Sequence, residues 1–515
     1  MHVSKHSFSV KAEQAVSLAR AASVVDIDSP FGPKTRYASR ACAFGAVVVV
    51  ATLLQSSIVS FVLFSLLILW DDRFIIPSIL ITPAIETILV LSDGITVTKL
   101  LMGLVMVCLL RYLYRCRKQR ILDLSPESLL LVGFMGIVFV GALKGTFPRE
   151  TYEFVDRAPH HSSEMTRALL WNSEVVFPKI IIAFCIYWFL KMKGYSFFVD
   201  SLRLSAPSIA WALIAVTGYF TMAGSSESLS YGVRRMSFEG ADPNEFSAII
   251  SALSAFAVYL VFARQSTGAT ILGLSAIGSA LVAICATVSR GGILSFVVSC
   301  CVCFVSFAGR DFLKTVRGGI LIAVVLAITT GAEILNWSGI WERFFQQQDY
   351  SGHYVSATGG RWELFGAACA AFLEQPFLGH GNSPYTSMIA VAEHIHQYAV
   401  IHNLYLEILV RFGIVGFIFL SAILWRALRS FLLFFRAAPC VRLDAVIIIP
   451  TIGLAVVLFA GMALSWEWRE ILWYFIGIGL VSSHFCQEHL LCLAYGSHCM
   501  RPHQPIIAEE GDGSC

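Results

Sequence analysis

The sequence predicts an all-α fold: a polytopic transmembrane helical bundle of about 14 spans with a large outer loop containing amphipathic helices. Three observations carry this. Of the 515 residues, 57% are hydrophobic and 14% charged, against roughly 25% charged in an ordinary soluble domain. The mean hydropathy is +0.72. The apolar residues come as separate runs near the ~20 residues a helix needs to cross hydrocarbon, which favours helices over a barrel of short alternating strands.

The first segment, Met1 to Arg40, is polar and carries Lys5, Lys11, Arg20, Lys34, Arg36 and Arg40. That is too long an approach for a signal peptide, so it is expected to be uncleaved and cytoplasmic. The run Ala41 to Trp70 is long for one span and tight for two, and parity decides between them. The basic stretch Arg111 to Arg120 should share the side of the N-terminus, and two spans, Phe74–Leu91 and Val97–Leu110, separate it from Trp70. An even count makes the first run a helical hairpin turning near Gln55-Ser56-Ser57, with arms of about 22 Å at about 1.5 Å per residue.

Further spans are expected at Leu129–Leu143, Pro178–Leu190, Pro207–Met222, Phe246–Phe262, Ile271–Val288, Ile293–Phe307, Ile320–Leu335, Asn403–Trp425, Ala445–Ala463 and Ile471–Ser483. Both termini then lie inside. The basic turns at Lys191 to Arg203, Arg264, Arg310 to Arg317 and Arg426 to Arg442 all fall on one face, as the excess of cations in cytoplasmic loops requires. Asp242, Arg290, Arg361 and His402 fall together on the other face, although they are scattered along the chain. The 14 cysteines lie mostly in apolar runs or near the C-terminus and do not form a disulfide framework.

Polar and glycine-rich marks on that outer face carry the chemistry. Arg290 stands between two spans in Ser289-Arg290-Gly291-Gly292. It reads either as a snorkelling anchor or as a partner for an anion held by its forked guanidinium. Span-end arginines favour the cytoplasmic side, and this one lies on the other, which favours the anion. The adjoining glycines allow a ligand close to the backbone. Arg361 follows Thr358-Gly359-Gly360 and precedes Trp362, Phe365, Cys369 and Phe372, spaced as one apolar face of a helix that Thr358 caps and Gln375-Pro376 ends. The helix is expected outside the spans, lying on the membrane surface or on the bundle. Its first turn, with Arg361, is either an anion site or an ordinary surface position. The turn from Pro376 to Gly381 shapes the loop, and His380 is assigned no chemical step.

His402 and Asn403 stand where the outer loop meets the next span. Asn403 suits a helix cap, and an imidazole at this boundary suits taking a proton. His394 and His396, at i, i+2, would share a face of an extended strand, and no metal site is assigned. Glu407 and Arg411, at i, i+4, are read as an ion pair giving structural support, with Arg411 about 13 Å below His402 and near the bilayer middle. Asp242 and Asn244, following Arg234 and Arg235, either begin a turn and cap the next span or help bind a substrate.

Five marks in order carry a resemblance: Asp242-Pro243-Asn244 before a span, Ser289-Arg290-Gly291 between two, Gly360-Arg361 with Trp362, the Pro376-x-x-Gly379-x-Gly381 turn, and His402-Asn403-x-x-x-Glu407 entering a span, with Gly413 beyond. At these residues the chain resembles the O-antigen ligase and polysaccharide polymerase superfamily of bacterial envelopes. The resemblance covers about a third of the chain, Asp242 to Gly416. It implies a metal-independent, inverting glycosyltransferase of the GT-C type in the inner membrane, with its active face in the periplasm and a glycan on undecaprenyl pyrophosphate as donor. It implies that Arg290 and Arg361 hold the pyrophosphate and that His402 activates an acceptor sugar hydroxyl. A leaving group that carries its own activation leaves the protein to neutralise charge, orient the partners and accept a proton.

The acceptor stays open between a polymerase, which extends another lipid-linked repeat of exopolysaccharide or O-antigen, and a ligase acting on lipid A core. A lipid-linked sugar transporter is the reading from a different class, and it would need broken or charged helices near the midplane. The expected organisation is a cytoplasmic segment 1–40, a first set of spans 41–335, a periplasmic loop 336–401, a second set 402–485 and a cytoplasmic tail 486–515. Expected partners are the lipid-linked glycan, the acceptor glycan, the bilayer and polysaccharide assembly proteins. Neither a cofactor nor nucleic acid is expected, and the net charge of +3 bears on neither.

Overall fold

A computed structural model describes residues 34–54, 56–86, 97–115, 125–145, 164–223, 226–230, 233–237, 242–263, 266–308, 361–383, 385–395, 400–437, 444–464 and 469–494. The span expected at Ile320–Leu335, the N-terminal segment before Lys34, His396, residues 358–360 and the tail beyond Ala494 lie outside these residues.

The first apolar run folds as two helices, α1 (Lys34–Leu54) and α2 (Ser57–Trp70). Ser56 caps α2 by accepting from the Val59 amide. Arg40, near the start of α1, pairs with Asp71, just past the end of α2, at 2.8 Å. Only an antiparallel hairpin brings those ends together. Phe44 stacks on Phe74 at 5.9 Å and closes the same end.

The chain continues through α3 (Ile75–Glu86), α4 (Val97–Arg115) and α5 (Pro126–Lys144). Next come α6 (Glu164–Trp171) and α7 (Phe177–Lys193), joined by one π turn, Asn172–Val176, and then α8 (Tyr195–Ala223). A short antiparallel hairpin, β1 (Ser226–Ser230) with β2 (Val233–Ser237), precedes α9 (Pro243–Ala263). After α10 (Thr267–Ala286) and α11 (Arg290–Ala308) come the loop helices α12 (Arg361–Glu374) and α13 (Thr386–Ile395). The last elements are α14 (Leu404–Ala437), α15 (Ile449–Ala460) and α16 (Glu470–Ala494). Among the described residues, seven helical stretches are long and apolar enough to cross a membrane: α5, Thr166–Lys193, α8, α9, α10, α11 and α14. The chain is a multi-pass helical membrane protein, with one small hairpin among the described residues.

Helix α9 is the axis of the bundle, buried at every residue from Phe246 to Val261 and packed against α8, α10, α11 and α15. Small side chains permit this. Gly292 of α11 lies so close that a Cβ there would meet Ser247 Oγ at 2.2 Å, and Ser251 Oγ donates to the Gly292 carbonyl at 3.0 Å. Without a hydrophobic drive between helices in lipid, close backbone approach of this kind supplies the packing energy.

The two ends of the bundle differ in charge. One gathers cations onto acids: Arg40 on Asp71, Arg203 on Asp444 at 2.7 Å, Arg426 on Glu127 at 3.2 Å, and Lys193 on Asp72 inside a ring of Tyr112, Phe189 and Phe197. The other end holds the start of α9, the turn between α10 and α11, the end of α5, and the junctions from α13 to α14 and from α15 to α16.

Candidate active site

The turn between α10 and α11 is tight because Ser289 does two things. Its Oγ accepts from the Gly292 amide at 3.1 Å, capping α11, and donates to Asn244 Oδ1 at 2.9 Å, tying the turn to the start of α9. Arg290 is therefore the first residue of α11, half-buried at a helix N-terminus, where backbone amides and the guanidinium favour an anion together. Val288, just before, is buried with φ of 50°, an unusual conformation for a β-branched residue. The two glycines separate in role. Gly292 is filled by Ser247, so the close approach there is made by α9; Gly291 has open space where a side chain would be.

Asp242 caps α9: its Oδ1 accepts from the Asn244 amide at 2.8 Å and from Asn244 Nδ2 at 3.0 Å, and its carbonyl accepts from the Phe246 amide. Both residues are thus built into the helix start, with Asp242 still exposed. Arg234 and Arg235 lie on β2, opposite Leu229 and Ser228.

His402 is exposed, with φ of 52°, and shares with Val288 the distinction of a left-handed non-glycine conformation among the described residues. Such strain persists only where the surroundings over-determine it. Here Asn403 Oδ1 accepts from the amides of Tyr405 and Leu406 at 3.0 Å each, its Nδ2 donates to the Met462 carbonyl at 3.0 Å, and the Leu404 amide donates to the Gly461 carbonyl at 2.8 Å. The start of α14 is clamped to the end of α15, and His402 stands on the clamp.

Helix α14 is broken at Gly413, with φ 62° and ψ −163°. The loop turn after α12 enters the break. Pro376 and Phe377 carbonyls accept from the Ile414 and Val415 amides at 2.8 and 3.3 Å, and the His380 and Gly381 amides donate to the Val410 and Arg411 carbonyls at 2.8 and 3.0 Å. Three glycines permit the contact: a Cβ on Gly379, Gly381 or Gly413 would meet backbone atoms at 2.4, 2.6 and 2.4 Å respectively. His380 is structural, its Nε2 lying 2.7 Å from the Ala371 carbonyl.

Beneath this turn, Arg411 pairs with Glu407 at 2.6 Å, and both are buried. Ser387 Oγ donates to Glu407 Oε1 at 2.7 Å. Arg411 also donates to Asn382 Oδ1, and Asn382 and Asn172 exchange bonds of 2.5 and 2.8 Å. Because the Asn382 amide donates to the Gly141 carbonyl at 2.7 Å, Arg411 lies level with the last turn of α5.

Helix α12 departs in part from expectation. Its buried face is Ala367, Ala368 and Ala371, packed on Val391, Ile401 and Val410; of the four residues expected there, Phe365 and Phe372 pack against this cluster beside Leu364, while Trp362 and Cys369 are exposed. His394 ends helix α13 instead of lying in an extended strand, 3.3 Å from Glu374.

Residues 274–421 match the family model described as O-antigen ligase. This stretch belongs to the O-antigen ligase/polymerase superfamily. The matched region takes in Arg290, α12, the glycine turn, His402 and the Glu407–Arg411 pair, and begins after Asp242. None of the curated proteins compared matches the chain.

Outside the matched region, the same end of the bundle carries a charge network with no local sequence signal. Glu245 pairs with Arg469 at 2.7 Å and Lys179 with Glu470 at 3.0 Å, joining the starts of α9, α16 and α7. Partners this far apart in the chain become visible only once the helices are packed.

Proposed function

We propose that this chain is a membrane glycosyltransferase that moves a glycan from undecaprenyl pyrophosphate onto an acceptor sugar hydroxyl at the periplasmic end of the bundle, as an exopolysaccharide or O-antigen polymerase. The general function, ligase- or polymerase-type chemistry, rests on the family match. The finer reading rests on one observation: Arg290 and His402, each held by a capped helix start and a strained backbone, stand at the end of the bundle opposite the cation-rich one. Cation-rich ends favour the cytoplasm, which supports a periplasmic site.

In this reading, Arg290 and Arg361 carry the pyrophosphate, and His402 takes the proton of the acceptor hydroxyl. The acceptor oxygen bonds to the anomeric carbon as the bond from that carbon to the lipid pyrophosphate breaks. Attack opposite the leaving group inverts the anomeric centre. The transporter reading loses ground on the position of the broken helix, since the Gly413 break is level with the end of α5 and filled by loop backbone.

The test is glycan analysis in cells carrying His402→Asn, chosen because Asn tolerates φ near 50° and keeps the helix start intact. Loss of long-chain glycan with single-repeat products persisting supports a polymerase. Accumulation of unattached lipid-linked polymer supports the ligase alternative, with lipid A core as acceptor. Wild-type glycan from a normally expressed variant overturns the catalytic assignment.

A further inference from the structure

Helix α12 presents two apolar faces. The alanine face is packed on α13 and α14. On the opposite side Trp362, Gly366, Cys369 and Leu373, spaced four, three and four residues apart, form an uncharged exposed stripe, with Trp362 and Leu373 each 71% exposed. The stripe runs on into the turn, where Phe377 is 72% exposed. A helix facing only water would gain nothing from keeping Trp362 and Leu373 on its outer surface.

We infer that this stripe lies in the outer interfacial layer of the bilayer, with Trp362, Leu373 and Phe377 set among lipid headgroups and upper acyl chains. Its continuity with the lipid-facing flanks of two spans commits the surface to lipid. The Phe377 carbonyl accepts from the Val415 amide, next to Ile414 and one turn before Ile418, both exposed on α14. Lys144, at the end of α5, donates to Gln375 Oε1 at 3.0 Å and to the Gly379 carbonyl at 2.6 Å, just past the exposed Leu143. The end of α12 is thus fastened to the ends of two membrane helices, with its apolar stripe extending their lipid surfaces. Amphipathic residues such as Trp are favoured at this depth. One consequence, which rests on the proposed function, is that the first turn of α12, beginning at Arg361, stands at the depth where a lipid-linked pyrophosphate arrives by lateral diffusion.

The test uses the full chain in nanodiscs of phosphatidylethanolamine and phosphatidylglycerol, with p-benzoylphenylalanine replacing Leu373 or, separately, Trp362. Both positions are exposed, so folding is spared. Irradiation followed by mass spectrometry should find lipid adducts at both sites at yields within severalfold of the same probe at Ile418, a lipid-facing position 57% exposed. A probe at Glu363, on the flank of the stripe, should give none. Lipid adducts at Ile418 but at neither α12 site would overturn the inference. So would cross-links from α12 to residues 309–360 of this chain or to a second protein. Lipid capture at Leu373 in a protein whose His402→Asn variant still makes wild-type glycan would leave the inference standing and sink only the glycosyltransferase reading.

Discussion

The carbonyl of Pro376 accepts the amide of Ile414 at 2.8 Å, in place of the Val410 carbonyl that an unbroken helix would have offered. Val410 in turn accepts from His380, and the same exchange is repeated by Val415 with Phe377 and Gly381 with Arg411. Two rungs of the α14 ladder are opened, and both halves of each are bonded by the loop turn. Non-helical backbone is tolerated in such a place because each polar group is satisfied inside the protein.

Gly413→Ala should therefore be severely destabilising. The added Cβ would stand 2.4 Å from the Phe377 carbonyl group, at φ of 62°. We expect a loss of about 2 kcal/mol or more, read as a lower melting temperature in detergent. Gly136→Ala on α5 is the control, since nothing lies within 4 Å of its Cβ position. Replacing a helical glycine there should be neutral or stabilise by up to about 1 kcal/mol.

Arg411→Ala should cost about 3–5 kcal/mol because it strands the buried Glu407 carboxylate. The paired change Glu407→Met with Arg411→Met should be milder than the single one, since no charge is left unpaired. A thermal melt of both purified variants checks the order.

The two pairs of the outer network should differ. Arg469 is 52% exposed, so water screens its charge although Glu245 is only 14% exposed, and Arg469→Ala should cost about 1 kcal/mol. Lys179 is 11% exposed, and Lys179→Ala should cost more, on the order of 2 kcal/mol, by leaving Glu470 half-buried without its partner. Equal melting temperatures for the two variants would contradict the difference in solvation.

Arg290→Ala should abolish polymeric glycan, and Arg290→Lys should restore only part of it, because a point charge cannot hold two phosphate oxygens as a guanidinium fork does. Gel analysis of surface glycan at matched protein level measures both. Full activity in the lysine variant would show that charge alone is needed at the start of α11.

Much of this fold was legible in the chain. The α1–α2 hairpin followed from the length of one apolar run and the polar Gln55-Ser56 pair within it, and helix starts followed from Asp242 and Asn403, whose short side chains cap locally. The break in α14 was not legible, because Gly413 is followed by a long apolar run and glycine is compatible with a continuing helix. The docking face of α12 was legible only in part: Phe365 and Phe372 pack as expected, but the centre of the face is Ala367, Ala368 and Ala371, whose small size lets α12 pack closely, while the bulkier Trp362 remains outside.

By itself the sequence determined that this is a multi-pass helical membrane protein and which of its ends carries the polar motifs. Hydrocarbon demands apolar runs of a certain length, and cations sort to one side, so both properties are written in composition and order. Only the tertiary structure decided that the turn from Pro376 to Gly381 completes a broken helix, that Arg411 lies level with the last turn of α5, and that Glu245 meets Arg469. Those relations join residues distant in the chain, and they depend on backbone conformation and packing that no local pattern encodes.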